Sequence, residues 1–145
     1  MIPATPSEHR GRAAAEPFVS SDLLFELARL QASPEYAREG HAGRTLTKYT
    51  ELRVVLETMK AGTRMTLHET EEELTLQVFL GQLRLWMRHG ENTELAEGSF
   101  AAASAGRVHE VEALQDSSFL LTLAWPPIGA RAAGRGDTEE NGAGI

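Results

Sequence analysis

Two histidines, His68 and His109, are the side chains of this chain best suited to chemistry, and a run of glutamates follows the first. Neutral imidazole nitrogens bind divalent transition metals, with Zn, Fe, Mn and Ni as the candidates here. A catalytic metal usually needs three protein ligands and an open position. The two histidines therefore leave two interpretations open: a weak metal site, or pocket histidines that bond to each other, to water or to a ligand.

Each histidine lies in a segment with regularly spaced glycines. The first segment is GTRMTLHETEEELTLQVFLG, residues 62–81, and the second is GSFAAASAGRVHEVEA, residues 98–113. Both resemble the two signature motifs of the cupin superfamily, with one histidine of each motif in place. The resemblance covers roughly residues 43–125. It implies a jelly-roll barrel in which His68 and His109 meet inside.

Two ligand positions of the resembled motif hold other residue types in this chain. Thr70 stands where the motif has a second histidine, and Leu74 stands where it has a glutamate. Thr70 is a poor metal ligand, and Leu74 is none. Glu73 is a possible substitute, but a shift of one residue along a strand turns a side chain to the opposite face. Glu73 would therefore need a bulge to reach the site.

Strand periodicity and the resemblance together predict a ligand pocket. Alternate side chains of a strand share a face, so Arg64, Thr66 and His68 should point one way, and Met65 and Leu67 the other. The resemblance implies that the face with the histidine looks into the barrel. The residues predicted to line the pocket are Thr66, His68, Thr70, Leu74, Leu76, Val78, His109 and Val111.

The glutamate run after His68 comprises Glu69, Glu71, Glu72 and Glu73. Such a charge run favours a solvated loop at the rim of the barrel. The functional alternative is an acidic lip that attracts cationic ligands and repels phosphates or carboxylates.

Hydrophobic periodicity predicts a short helical segment followed by an all-β domain. Four leucines between Leu23 and Leu30 recur at helical spacing, and Ser33–Gly40 predicts a second short helix. From Leu46 onward the period is two residues. The candidate strands are Leu46–Thr50, Leu52–Met59, Arg64–Glu69, Leu74–Leu80, Gln82–Arg88, Thr93–Leu95, Phe100–Ala103, Val108–Ala113 and Ser117–Trp125.

Composition divides the chain into four segments within one domain of ordinary size. These are a flexible arm over residues 1–17, an N-terminal helical segment over 18–42, a single cupin β-barrel over 43–127 and a flexible tail over 128–145. The arm and the tail are rich in small residues, proline and charge, and they show no hydrophobic period.

Charge and composition restrict the partners and the compartment. The formal charge of −7 argues against binding to nucleic acid or to an acidic membrane surface. There is no cysteine, and no apolar run approaches the roughly 20 residues of a membrane span. A cytoplasmic protein is therefore expected.

An apolar stripe of Leu52, Val54 and Leu56 lies in a strand that is a candidate sheet edge. Proteins cover or pair exposed edges, so this stripe predicts a homodimer. Trp86, on the polar face of its strand, is interpreted either as part of a dimer surface or as an aromatic wall for a small molecule.

Three functions fit these observations. The first is a small cupin-domain protein that binds a small organic molecule in the barrel pocket, with a degenerate metal site. The second is a metal-dependent cupin enzyme of the dioxygenase or isomerase type, with His68 and His109 as its ligands. The third is a structural role for a dimeric barrel. Fold alone does not choose among them, because one barrel hosts many chemistries.

Overall fold

The computed structural model describes residues 16–67 and 72–124. Most of the predicted arm and all of the predicted tail lie outside the described residues. His68 and Thr70, with the two glutamates Glu69 and Glu71, lie outside them as well.

Two short helices open the described chain, as predicted. Helix α1 spans Leu23–Gln31, and the Asp22 side chain caps it by accepting a hydrogen bond from the backbone N–H of Phe25. Helix α2 spans Pro34–Glu39 and ends at Gly40, which adopts φ 83°. Glycine takes this left-handed conformation without steric cost, so it turns the chain directly into the first strand. Neither helix is long and apolar enough to cross a membrane.

The remaining elements are strands. They are β1 (His41–Lys48), β2 (Leu52–Met59), β3 (Arg64–Thr66), β4 (Glu73–Leu80), β5 (Gln82–Met87), β6 (Asn92–Ala96), β7 (Phe100–Ala103), β8 (Val108–Ala113) and β9 (Ser117–Ala124). The bounds of β2, β7 and β8 are those predicted from the sequence. Strand β1 begins at His41 rather than Leu46, because the residues after Gly40 already pair with the end of β2.

The strands form two antiparallel sheets that share one core. Sheet A has the order β1-β2-β9-β4-β7, and sheet B has the order β3-β8-β5-β6. Apolar side chains from both sheets meet between them, among them Leu76, Leu83, Val111 and Phe119, all fully buried. The sequence prediction of an all-β fold with a short helical segment is confirmed at this level.

Both helices pack on the outer face of sheet A, over β1 and β2. Leu27 and Leu30 of α1 and Tyr36 of α2 form a second apolar cluster with Ala42 and Leu56. An ion pair between Glu26 of α1 and Arg44 of β1, with a distance of 3.0 Å between Oε1 and Nε, lies beside this cluster. Sheet A is therefore covered on both faces where the helices lie.

The expectation that β2 is an edge strand is wrong. Strand β2 pairs with β1 on one side and with β9 on the other, so it lies inside the sheet. Leu56, part of the stripe assigned to a dimer surface, is fully buried beneath the helices. The homodimer stays a prediction, but the stripe of Leu52, Val54 and Leu56 no longer supports it.

The burial of Leu56 predicts different losses of stability for alanine substitutions at two positions on the same face of β2. Leu56→Ala should lower the free energy of unfolding by about 2–5 kcal/mol, because it leaves a cavity between β2 and the helices. Leu52→Ala, on the same face but 36% exposed, should cost less than about 1 kcal/mol. Urea denaturation of the two variants measures both values. Similar losses at the two positions would show that the helices do not cover β2 in solution.

Candidate functional site

A cavity of about 470 Å³ lies between the two sheets and is called the inter-sheet cavity below. It is bounded by β1, β2, β9 and β4 of sheet A and by β3 and β8 of sheet B, with Glu35 of α2 at its rim. Its lining residues are Glu35, His41, Gly43, Thr45, Arg53, Val55, Glu57, Met65, Thr66, Leu67, Glu72, Leu74, Gly106, Val108, Leu121 and Leu123.

The polar end of the cavity is built by the hairpin of β1 and β2. Alternation places Arg53, Val55 and Glu57 of β2 on the inner face, while Leu56 faces the helices. Gly43 of β1 lies opposite Glu57 in the register. A Cβ atom at Gly43 would lie 2.5 Å from Glu57 Oε2. The absence of a side chain at Gly43 therefore makes room for the Glu57 carboxylate over β1.

Glu57 is an ionisable group in an environment that disfavours its charge. Burial raises the pKa of Glu57 to about 8, the negative charge of Glu35 acts in the same direction, and Arg53 opposes it. The Oε1 atom of Glu57 is shielded from solvent and has no hydrogen-bond partner among the described residues. At neutral pH the Glu57 carboxyl is therefore mainly protonated.

Glu72 is a second buried carboxylate in the lining. The residue is 7% exposed, and its Oε1 atom has no hydrogen-bond partner in the described part of the chain. Glu73, predicted as a possible substitute ligand, is exposed at the start of β4. Alternation accounts for the difference, because Glu72 shares the inner face with Leu74 and Glu73 does not. The rim interpretation of the glutamate run thus fails for Glu72.

His109 does not face the inter-sheet cavity, contrary to expectation. In the pairing of β5 with β8, Trp86 lies opposite Glu110 and Met87 lies opposite Val108, so His109 is the extra residue of a β-bulge. The bulge lets Val108 and Val111 both face the core. His109 itself is exposed and does not line the cavity.

Strand β3 also shows the face opposite to the one expected. Met65 and Leu67 pack against the inter-sheet core, whereas Arg64 and Thr66 are exposed. Arg64 forms an ion pair with Glu110 on the outer surface, at 3.0 Å. The apolar side chains turn inward because the core offers them contacts and the guanidinium keeps its hydration outside. Thr66 still borders the cavity.

The other predicted pocket residues divide into lining and core. Leu74 lines the cavity. Leu76, Val78 and Val111 face the same interior but are fully buried in the apolar core and do not reach the cavity. His68 and Thr70 lie outside the described residues, although Leu67 and Glu72, the described residues on either side of that gap, both line the cavity.

A metal centre does not fit the side chains of the described part. No group of three or more His, Asp or Glu residues there could hold a metal ion. Leu74 presents a hydrocarbon side chain at the position of the resembled glutamate, and His109 points away from the cavity. Of the predicted ligand set His68, His109 and Glu73, the two described residues, His109 and Glu73, do not line the cavity together.

Trp86 belongs to a charged network on the outer face of sheet B. Its indole Nε1–H donates a hydrogen bond to Glu112 Oε1 at 3.0 Å, and Arg64 stacks 5.2 Å from the ring centre. This hydrogen bond lowers the pKa of Glu112, and Arg64 and Arg84 act in the same direction. Trp86 does not line the inter-sheet cavity, and its roles as an aromatic wall or as part of a dimer surface stay predictions.

Solved structures resemble this arrangement of sheets. An RmlC-like cupin protein from Desulfovibrio desulfuricans aligns with TM-score 0.57 and 22% identity, over 66% of this chain and 92% of that chain. A cupin superfamily protein from Desulfitobacterium hafniense aligns with TM-score 0.55 and 10% identity, over 59% of this chain and 78% of that one. The chain has the cupin fold.

A larger cupin-fold structure aligns over more of the chain. A mutant of salicylate 1,2-dioxygenase from Pseudoaminobacter salicylatoxidans aligns with TM-score 0.67 and 18% identity, over 83% of this chain and 39% of the dioxygenase. Neither a protein-family model nor a curated protein matches the sequence. Likeness at these identities shows the cupin fold and leaves the ligand and any reaction open.

Sequence reasoning missed the charged residues of the inter-sheet cavity. The resembled motifs directed attention to residues 62–81 and 98–113, whereas Arg53 and Glu57 lie on β2 and Glu35 lies on α2. The available signal was the alternation Arg53, Val55, Glu57, Met59, which places two charged residues on the same strand face as two apolar ones. A charged residue at a core-facing position of a strand indicates a candidate functional site.

The raised pKa of Glu57 predicts a pH dependence of stability. The unfolded chain releases the proton near the ordinary pKa of 4.5, while the folded protein keeps it up to about 8. The stabilisation that the protonated Glu57 contributes to the folded state is therefore fully present below the ordinary pKa of 4.5. It is lost as the pH rises through the pKa of about 8 in the folded protein. The free energy of unfolding of the wild type minus that of Glu57→Gln should fall by up to about 1.4 kcal/mol per pH unit in this window.

Urea denaturation from about pH 5 to pH 8.5, a range that brackets the folded pKa, measures this difference. Glu51→Gln is the matched control, since Glu51 is exposed in the turn between β1 and β2. Its difference from the wild type should stay flat across the range. A flat difference for Glu57→Gln as well would mean that Glu57 ionises normally in the folded protein.

Proposed function

We propose that this cupin-fold protein binds a small organic molecule in the inter-sheet cavity. The observation that supports the proposal is the cavity itself, which at about 470 Å³ falls within the range of about 300–1,000 Å³ usual for small-molecule sites.

The lining has the mixed character of a ligand site. One part is hydrocarbon, from Val55, Met65, Leu67, Leu74, Val108, Leu121 and Leu123. The other part is polar and includes His41, Arg53, Glu57 and Glu72. Apolar walls supply binding energy through burial, and a few placed polar groups fix the orientation of the ligand.

The alternative is a metal-dependent cupin enzyme of the dioxygenase or isomerase type. A salicylate 1,2-dioxygenase shares the fold, but its similarity is too low to transfer a reaction. His109 lies away from the cavity, and His68 lies outside the described residues. Since no described group of ligands supports a metal, the binding function is the better-supported proposal.

A substitution that fills the cavity tests the proposed function. Thr45 is half-buried and lines the cavity from β1, one of the two edge strands of sheet A. Thr45→Trp should place an indole in the cavity and weaken every ligand there by about tenfold or more, an amount typical of losing one well-placed contact. The ligands come from a fragment set of amines, alcohols, acids and aromatic compounds. Their binding is detected by methyl NMR and thermal shift.

The matched control is Thr93→Trp, because Thr93 is exposed on β6 and does not line the cavity. It should leave ligand binding unchanged. The proposed function fails if no fragment shifts the methyl signals of Leu74, Val108 and Leu121, or if Thr45→Trp binds the fragments as well as the wild type does.

A further inference from the structure

We infer that the ligand of the inter-sheet cavity is an amine, a small molecule with a protonated amino group joined to a hydrocarbon part. This inference rests on the proposed function and adds the chemical class of the ligand. Its basis is the set of charged groups in the lining and the two carboxylate oxygens there that have no hydrogen-bond donor among the described residues.

The first argument concerns those two oxygens. Glu57 Oε1 and Glu72 Oε1 are shielded from solvent, and neither has a hydrogen-bond partner among the described residues. Glu72 as a whole is 7% exposed, so water does not solvate this carboxylate freely. A buried acceptor without a donor is unfavourable by more than a typical hydrogen bond contributes. A ligand that brings N–H donors removes this deficit, whereas a ligand that brings only acceptors does not.

The second argument concerns the balance of charge. Among the described residues, the lining of the cavity has three carboxyl groups, from Glu35, Glu57 and Glu72, and one guanidinium, from Arg53. A carboxylate or phosphate ligand would add negative charge beside these groups and would repel Glu35 and Glu72. An ammonium group is attracted to them, and a hydrogen bond between charged groups is stronger than a neutral one.

The third argument concerns the shape of the remaining lining. The side chains of Leu74, Val108, Leu121 and Leu123 are apolar and line the same cavity. They favour a hydrocarbon chain or ring on the ligand, because burial of that surface is favourable. A bare inorganic cation would leave this surface unused. The described residues also contain no cluster that could hold a metal ion.

Amine binding should be linked to the proton of Glu57. In the free protein, burial and the charge of Glu35 keep this carboxyl protonated at neutral pH. An ammonium group nearby favours the ionised form, so binding should release a proton. The other ionisable groups that line the cavity with Glu57 in the described part of the chain are Glu35 of α2, His41 of β1, Arg53 of β2 and Glu72 before β4.

Calorimetric titration of the full chain with hexylamine, 1-hexanol and hexanoate tests the inference. Hexylamine should bind at least about tenfold more tightly than the other two, since a charged hydrogen bond separates them. In two buffers of different ionisation enthalpy, its apparent binding enthalpy should show proton release near pH 7. The affinity for hexylamine should rise from about pH 6.5 to about pH 8.5, the range in which Glu57 ionises.

Three glutamate-to-glutamine variants separate the roles. Glu57→Gln should abolish the proton release on hexylamine binding and flatten the rise of affinity with pH. A general loss of packing would not produce these two changes. Glu72→Gln should weaken hexylamine by about tenfold and keep the proton release. Glu51→Gln, exposed in the turn between β1 and β2, should behave as the wild type. His41 is present in all three variants, so the comparison isolates each glutamate.

Equal or tighter binding of hexanol or hexanoate in the cavity would overturn the amine inference and leave the proposed function standing. The same holds if hexylamine binds without proton release in the wild type. If none of the three compounds moves the methyl signals of Leu74 and Val108, the amine inference is also wrong. The wider fragment set with Thr45→Trp then decides separately whether the cavity binds small molecules at all.

Discussion

The position of β2 between two apolar layers is the constraint on which the rest of the structure depends. One face of the strand presents Val55 and Met59 to the inter-sheet core, and the other presents Leu56 to the helices. Both long sides are hydrogen-bonded, to β1 and to β9. The side chains from Val55 to Met59 are therefore placed by these two apolar layers rather than by their own polarity. Glu57 is on the inner face for this reason, and its raised pKa follows from that position.

Local signals in the sequence were sufficient for most of the elements. Asp22, Ser33 and Gly40 mark the helix ends, and each acts in the structure as the residue type predicts. Glycines separate strands of period two, so β2, β7 and β8 were predicted with their observed bounds. These features depend on neighbours a few residues apart along the chain, and sequence patterns record such neighbours directly.

Features that depend on distant residues were not predictable in the same way. The bulge at His109 arises from the register between β5 and β8, and that register is set by burial of Val108 and Val111 together. The interior position of β2 depends on β9, which is far away in sequence. The stripe of Leu52, Val54 and Leu56 fits a sheet edge and a helix-covered strand equally well. Only the packing of α1 and α2 distinguishes the two.

The candidate site also depends on the segment that precedes the family resemblance. The resemblance covers roughly residues 43–125, yet Glu35 and His41 line the cavity from outside that range. Tyr36 anchors α2 in the outer apolar cluster, and this anchor holds the neighbouring Glu35 at the cavity rim.

Burial is the main cause of the raised pKa of Glu57, and the charge at Glu35 raises it further. The shared fold thus provides the space between the sheets, while the helical segment of this chain sets part of its electrostatics. Likeness to solved structures of the cupin fold therefore gives little information about the ligand, because the groups that would select it lie partly on residues that the resemblance does not include. A buried carboxyl that lowers stability at neutral pH is the feature that most clearly separates this cavity from ordinary core packing.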